Sequence, residues 1–152
     1  MSIGDVCNRE VVFTRKHESV LSAAALMREH HVGSLVVVDE QGGKRIPVGI
    51  ITDRDVAVGV VALGLDADLT RVDDAMGPEI VCAREDTGVA ECVALMRQKG
   101  LRRLPVVDAS GALIGLVAAD DLLELLGEEI SGLAAIVARE RTREQVRRRA
   151  AP

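Results

Sequence analysis

Aromatic residues are almost missing from this 152-residue chain: Phe13 stands alone, with no Trp and no Tyr. Stacking platforms of the kind that hold single-stranded bases are therefore absent. A purine can be held only between aliphatic side chains and backbone groups. Cysteine is scarce as well. Cys7, Cys82 and Cys92 are odd in number, widely spaced and set among apolar neighbours, a pattern of small buried hydrophobes and not of a disulfide framework. No apolar run approaches the roughly 20 residues that span a bilayer. Met1-Ser2-Ile3-Gly4-Asp5 has no basic region followed by an apolar core. The expectation is a cytoplasmic protein without membrane association.

Basic charge is missing from most of the chain. Arg139 to Arg149 holds six Arg against two Glu, a net of +4. The whole chain is −5, so the residues before Arg139 carry −9. An acidic body does not suit nucleic acid, whose phosphates need a broad basic face. Any phosphate held by the body must be held by a few particular basic residues. With 48% hydrophobic content, the length is enough to bury a core.

What the sequence does have is a repeat. Val20–Asp39 (VLSAAALMREHHVGSLVVVD) lies over Val89–Asp108 (VAECVALMRQKGLRRLPVVD) at an offset of 69. Val, Ala-Leu-Met-Arg, Leu and Val-Val-Asp agree in register. Backwards, Ile3-Gly4-Asp5-Val6-Cys7 sits over Val72-Asp73-Asp74-Ala75-Met76. Forwards, after a turn three residues longer in copy one, Val48–Asp55 sits over Ile114–Asp121. Agreement at so many ordered positions establishes a duplication.

Each copy reads as strand, helix, strand, strand, helix. Glu10–Phe13 and Glu79–Cys82 are short β-branched strands. Ser19 in copy one, and Asp86 or Thr87 in copy two, cap the following helices. Val20, Ala24 and Met27, and then Val89, Val93 and Met96, fall on one helical face. Buried strands Leu35–Val38 and Leu104–Val107 follow, then turns, then Pro47–Ile51 and Ala112–Val117. Asp53–Val61 and Asp120–Leu126 close the copies, with Gly64–Thr70 as the polar connection. One such unit is marginal alone; two sharing a core make a stable α/β (α+β) domain with pseudo-equivalent clefts between copies.

The segment Gly49-Ile50-Ile51-Thr52-Asp53-Arg54-Asp55 is the most chemical in character. Thr52 and Asp55, three apart, make a capping box, and Asp53 and Asp55 suit the positive end of a helix. The same residues sit at a strand-to-helix step facing the cleft. There Thr52 can donate to a phosphate, while a carboxylate such as Asp55 repels phosphate but accepts from a ribose diol. That combination suits a nucleotide better than a bare anion.

The duplication, the Leu-Pro-Val-Val-Asp of copy two and the Gly-h-h-Thr-x-x-Asp ending resemble the cystathionine-β-synthase (CBS) domain pair, or Bateman module. The resemblance runs from Ile3 to about Leu126. Ile51–Asp55 with Ala62–Asp66 is especially similar to small stand-alone bacterial members. The resemblance implies duplicated β-α-β-β-α motifs packed as one pseudo-two-fold pair. It also implies cytosolic sensing of adenine nucleotides such as AMP, ATP or S-adenosylmethionine, with no catalysis, and dimers. Carried over, Thr52 and Asp55 hold phosphate and ribose, facing Arg102, Arg103, Leu104 and Pro105. The opposite site uses Asp121 with Val32, Gly33, Ser34 and Leu35, and Thr14 near the first strand. It departs from the pattern at Ala118, where Thr or Ser is usual, and has Gly33 and Ser34 where the other site has two arginines.

The expected organisation is motif one over 3–63, motif two over 72–126 and a C-terminal helical extension over 127–152. In the extension, Leu133, Ile136, Val137 and Val146 form an apolar stripe and Glu144 can pair with Arg148. Apolar residues Val56, Val60, Leu122 and Leu125 exceed what one small core needs, which predicts a homodimer. Adjacent His30 and His31 diverge by about 100° on a helix and lack partners at ligand spacing, so no metal or other cofactor is predicted. No Walker loop and no nucleophile–base set is visible. The reading is a regulatory, ligand-sensing module, with an adenine nucleotide and a regulated protein as partners. Its rival is an interaction scaffold with vestigial clefts.

Overall fold

The computed structural model describes residues 1–149. They form two compact units, one over Met1–Val117 and one from Ala118 onward. In the first unit the duplication appears as two three-stranded sheets, β1-β2-β3 and β4-β5-β6. Copy one comprises α1 (Ile3–Val6), β1 (Phe13–Arg15), α2 (Val20–His30), β2 (Ser34–Gln41), β3 (Lys44–Thr52) and α3 (Asp53–Val56), which widens into a π-helical turn at Ala57–Val61. Copy two comprises α4 (Val72–Ala75), β4 (Ala83–Arg84), α5 (Val89–Lys99), β5 (Arg103–Val107) and β6 (Leu113–Ala118), with α6 (Ala119–Arg149) following.

β1 pairs with β2 in parallel, Phe13 against Val36, while β2 and β3 form an antiparallel hairpin. Gly42 and Gly43, both at positive φ, make the hairpin turn, where each residue must be left-handed for the strands to keep their twist. Leu35, Val36, Val37 and Val38 are all buried, as befits a central strand covered on both faces. The core of copy one is Val20, Ala23, Met27, Leu35, Val37, Ile51 and Val60, completed by Val72 from the entry helix of copy two.

That exchange is reciprocal. The Ile3 and Gly4 amides donate to the carbonyls of Thr87 and Glu85, each at 2.8 Å. At the same offset, the Val72 and Asp73 amides donate to Glu18 and Lys16 at 2.9 and 3.1 Å. Each copy's entry helix therefore sits on the other copy, as a pseudo-two-fold pair requires. Close approach fixes two glycines. A Cβ on Gly49 would run into the Met76 sulfur, and one on Gly115 would lie 2.5 Å from the Cys7 sulfur.

Several sequence expectations shift. The first strands begin three or four residues later than expected, because pairing is dictated by where β2 and β5 present their edges. Ala23, not Ala24, faces the core, and in copy two Cys92 and Met96 are buried while Val93 is exposed. Ser19 caps α2, accepting from the Ser22 amide at 3.1 Å. In copy two the cap position falls on Gly88, so neither Asp86 nor Thr87 caps α5; Thr87 Oγ1 instead accepts from the Arg84 amide. His31 occupies the left-handed C-cap of α2, where copy two has Gly100.

The closing helix of copy two and the extension are one helix. With no proline between Ala119 and Arg149, nothing stops it at Leu126. Residues 150–152 of the expected extension lie outside the described residues. Among the described residues Glu144 makes no ion pair with Arg148. Among the described residues no helix is long and apolar enough to cross a membrane.

Candidate functional site

The step from β3 into α3 places Thr52 and Asp55. Thr52 has extended backbone and the helix starts at Asp53, so a side chain must satisfy the first helical amides. Thr52 Oγ1 accepts from the Asp55 amide at 3.2 Å and donates to Asp55 Oδ2 at 2.9 Å. The Thr52 amide donates to the same Oδ2 at 2.8 Å. The capping box anticipated from sequence is thus closed. It engages one carboxylate oxygen, Oδ2, and Oδ1 takes no part in it.

Both residues nevertheless line a cleft of about 500 Å³ whose walls come from both copies, a size typical of small-ligand sites. Copy one supplies Ser34, Ile50, Thr52, Arg54 and Asp55; copy two supplies Gly77, Glu79, Ile80, Val81, Gly100, Leu101, Arg102 and Arg103. Ile50, Ile80, Val81 and Leu101 give an aliphatic surface, and three guanidinium groups give positive charge inside an acidic body. Arg54 and Arg103 form no ion pair among the described residues, which leaves their charge for an anion.

Of the residues assigned to this cleft from sequence, Thr52, Asp55, Arg102 and Arg103 come together there. Leu104 and Pro105 do not line it; they are buried in β5 behind it. Ser34 was assigned to the opposite site, yet it lies in this cleft because β2 registers it against Thr52. Sequence reasoning missed Arg54, Ile50, Leu101 and the 77–81 segment. The unpaired stretch before β4 carried a usable signal, since Glu79–Cys82 is too short and too β-branched for a plain linker.

The remaining opposite-site residues are spread out. Val32 lines a second hollow of about 680 Å³ together with Asn8 to Phe13, Leu26 and His30. Gly33 is exposed, and its carbonyl accepts from the Asp53 amide at 3.0 Å. Thr14 and Leu35 are buried on β1 and β2, and Thr14 Oγ1 has no hydrogen-bond partner among the described residues. Asp121, exposed on the first turn of α6, belongs to the second unit.

Burial raises the thiol pKa of Cys82 and of Cys92, with Glu91 adding to the effect at Cys92. Both thiols are held protonated and are poor nucleophiles. Among the described residues no group of three or more His, Cys, Asp or Glu gathers to hold a metal.

Comparison with known proteins agrees with the duplication. The model of the CBS domain matches residues 3–61 and again 72–128. An uncharacterized protein of Methanopyrus kandleri is 42% identical over 125 residues, covering 82% of this chain and 62% of that protein. The chain thus spans less than two thirds of that relative's length. Among solved structures, a protein with CBS domains from Burkholderia ambifaria superposes with a TM-score of 0.71 at 31% identity, covering 83% of this chain and 93% of that one. The cytosolic domain of the Mg2+ channel MgtE, solved in complex with ATP, gives a TM-score of 0.68 at 30% identity, covering 82% of this chain and 48% of that one.

Proposed function

The chain belongs to the CBS-domain family, and we propose that it is a non-catalytic, cytoplasmic sensor that binds an adenine nucleotide in the cleft between its two motifs. CBS pairs are in general regulatory ligand-binding modules, and a similar domain has been solved with ATP. One observation carries the finer reading: Thr52, Asp55, Arg102 and Arg103, contributed by both copies, converge on a single cleft with an aliphatic wall. The base packs on Ile50, Ile80, Val81 and Leu101. The ribose hydroxyls donate to Asp55 Oδ1, and the phosphates meet Arg54, Arg102 and Arg103. Residues 3–63 and 72–126 act as the paired motifs. The cleft of Thr52 dominates, because the opposite set has no arginine pair in place of Gly33 and Ser34. Calorimetric titration of AMP, ATP, S-adenosylmethionine and NAD tests this reading. Saturable binding of at least one adenine compound supports it. Absence of binding by all four favours the scaffold.

The sensor works as a homodimer that acts on a regulated protein. Val60 and Leu122, expected to contribute to a dimer face, are buried within the chain. The support comes instead from α6. Leu123, Leu126, Ile130, Leu133 and Val137 alternate three- and four-residue spacing and are 43–69% exposed, which is a coiled-coil seam. Asp120, Asp121, Glu124, Glu128 and Glu129 precede the seam's centre, while Arg139, Arg141 and Arg143 follow it. A second copy running antiparallel sets acidic end against basic end.

A further inference from the structure

The chain that follows each entry helix is tied down in one copy and free in the other. After α1, Asn8 and Leu116 of β6 exchange both main-chain hydrogen bonds, amide to carbonyl at 2.9 Å each way. Asn8 Oδ1 also accepts from the Glu10 amide, and the Arg9 guanidinium donates to the Gly4 carbonyl, both at 2.9 Å. The segment is thus clasped to the strand it crosses, and Leu116 is not among the walls of the hollow beside it. At the offset of 69 the same segment is Gly77 to Val81, and in the alignment of the last strands Leu116 falls over Ile50. The approach is alike, Met76 packing on Gly49 as Cys7 packs on Gly115. The clasp is missing. Gly77 to Val81 makes no hydrogen bond with any described residue. Gly77 has no side-chain acceptor to fix a turn, and Pro78 has neither the guanidinium of Arg9 nor an N–H. Ile50, Gly77, Ile80 and Val81 line the Thr52 cleft instead.

We infer that Gly77 to Val81 is a strap, and that its pairing with Ile50, in the way Asn8 pairs with Leu116, competes with ligand for the cleft. The inference rests on the nucleotide reading of this cleft and concerns its regulation. The closed arrangement is the one the chain already adopts at Asn8. Three tethers make it there: the main-chain pair, the asparagine acceptor and the arginine. All three are missing at Gly77, and glycine adds freedom of its own. Closing draws the strap onto the edge of Ile50 and removes the aliphatic space between Ile50, Ile80 and Val81. Ligand therefore selects the open strap, and pinning the strap lowers apparent affinity by the fraction of molecules left open. Gly77 is a positioning residue, acting through the strap it begins.

Titration of ATP and amide hydrogen exchange, each with a thermal melt, test the inference on wild type and on Gly77→Asn combined with Pro78→Arg, which writes the Asn8-Arg9 pair into the strap. In wild type the Asn8 and Leu116 amides exchange slowly and the Gly77 amide exchanges freely. In the double variant the amide at position 77 becomes protected, and ATP affinity falls about tenfold, as when about nine-tenths of the molecules are closed. Gly77→Ala separates pinning from loss of space. Its Cβ meets nothing within 4 Å and brings no acceptor, so affinity stays within about twofold of wild type. Should the double variant fold poorly, the reverse change, Asn8→Gly with Arg9→Pro, frees the Leu116 amide to exchange and leaves ATP affinity unchanged. Unchanged affinity or an unprotected amide at position 77 in the folded double variant overturns the inference. A Gly77→Ala protein weakened as much as the double variant does so too, as does a Leu116 amide still protected in the reverse variant. Binding of no nucleotide by wild type overturns the nucleotide reading alone. The exchange measurements then decide the strap, with protection at position 77 supporting it and its absence overturning it.

Discussion

The Ile3 amide donates to the Thr87 carbonyl, joining the entry helix of one copy to the start of the main helix of the other. Its counterpart, Val72 to Glu18, repeats the bond in the reverse sense. The glycines at the same crossings differ in what they touch. Beside Gly49 a new Cβ meets the flexible side chain of Met76. Beside Gly115 it meets Cys7 Sγ and the Asn8 backbone carbonyl, at 2.5 and 3.1 Å. Cys7 has a single side-chain torsion and the backbone carbonyl none, where Met76 has three. Gly115→Ala is expected to destabilise by about 1–3 kcal/mol, the usual cost of overpacking, and Gly49→Ala by less. Urea unfolding of the two variants checks the order.

Much of this symmetry was legible in the sequence. The aligned Val-Val-Asp and Ala-Leu-Met-Arg blocks led to two copies of one unit, and the spacing of Thr52 and Asp55 led to the capping box. The sites of individual side chains were less legible. Ser34 falls in the Thr52 cleft because strand register decides it, and register depends on partners distant in sequence. Pro105 read as part of a site motif but lies behind the wall. The continuity of α6 past Leu126 follows from missing stop signals, which a search for motifs does not weigh.

His31 carries the cost of a left-handed conformation at φ 54°, a backbone that a side chain makes unfavourable by roughly 1–2 kcal/mol. Copy two has Gly100 at the same position. His31→Gly is expected to raise the melting temperature by a few degrees, the gain trimmed by the entropy of glycine in the unfolded chain. An unchanged or lower melting temperature contradicts this.

Acid should unfold the protein in a predictable window. The Arg71 guanidinium holds the Asp73 carboxyl below its ordinary value of 3.8, Lys16 does the same for Asp39, and the Ser110 hydroxyl for Asp108. A carboxyl whose folded pKa is depressed stabilises above its unfolded pKa and loses that contribution as pH falls through the folded one. Stability is therefore expected to be level above about pH 5 and to fall from about pH 4 downwards. Asp73→Asn removes one such contribution, so its melting temperature should differ most from wild type at neutral pH and least in acid.

The seam on α6 predicts a separation of functions. Removing residues 132–152 takes away Leu133, Val137 and the basic half of the helix, and is expected to weaken self-association in sedimentation at micromolar concentration. Nucleotide affinity should stay within about twofold of wild type, since no residue of the Thr52 cleft lies there. A truncated protein that is folded but no longer binds nucleotide would place the domain boundary elsewhere.

The most direct measurement is calorimetric titration of ATP into wild type, Asp55→Ala, Arg103→Ala and Asp121→Ala, with a melt of each. Asp55→Ala also loses a helix cap worth about 1 kcal/mol, so its melt must show folded protein at the titration temperature. One dominant site per chain is predicted. Hydrogen bonds to a charged group contribute roughly 1.5–3 kcal/mol, so Asp55→Ala and Arg103→Ala should each weaken binding about tenfold or more, while Asp121→Ala leaves the dominant site nearly unchanged. Two equal sites, or loss of binding in Asp121→Ala with Asp55→Ala unaffected, would contradict the account.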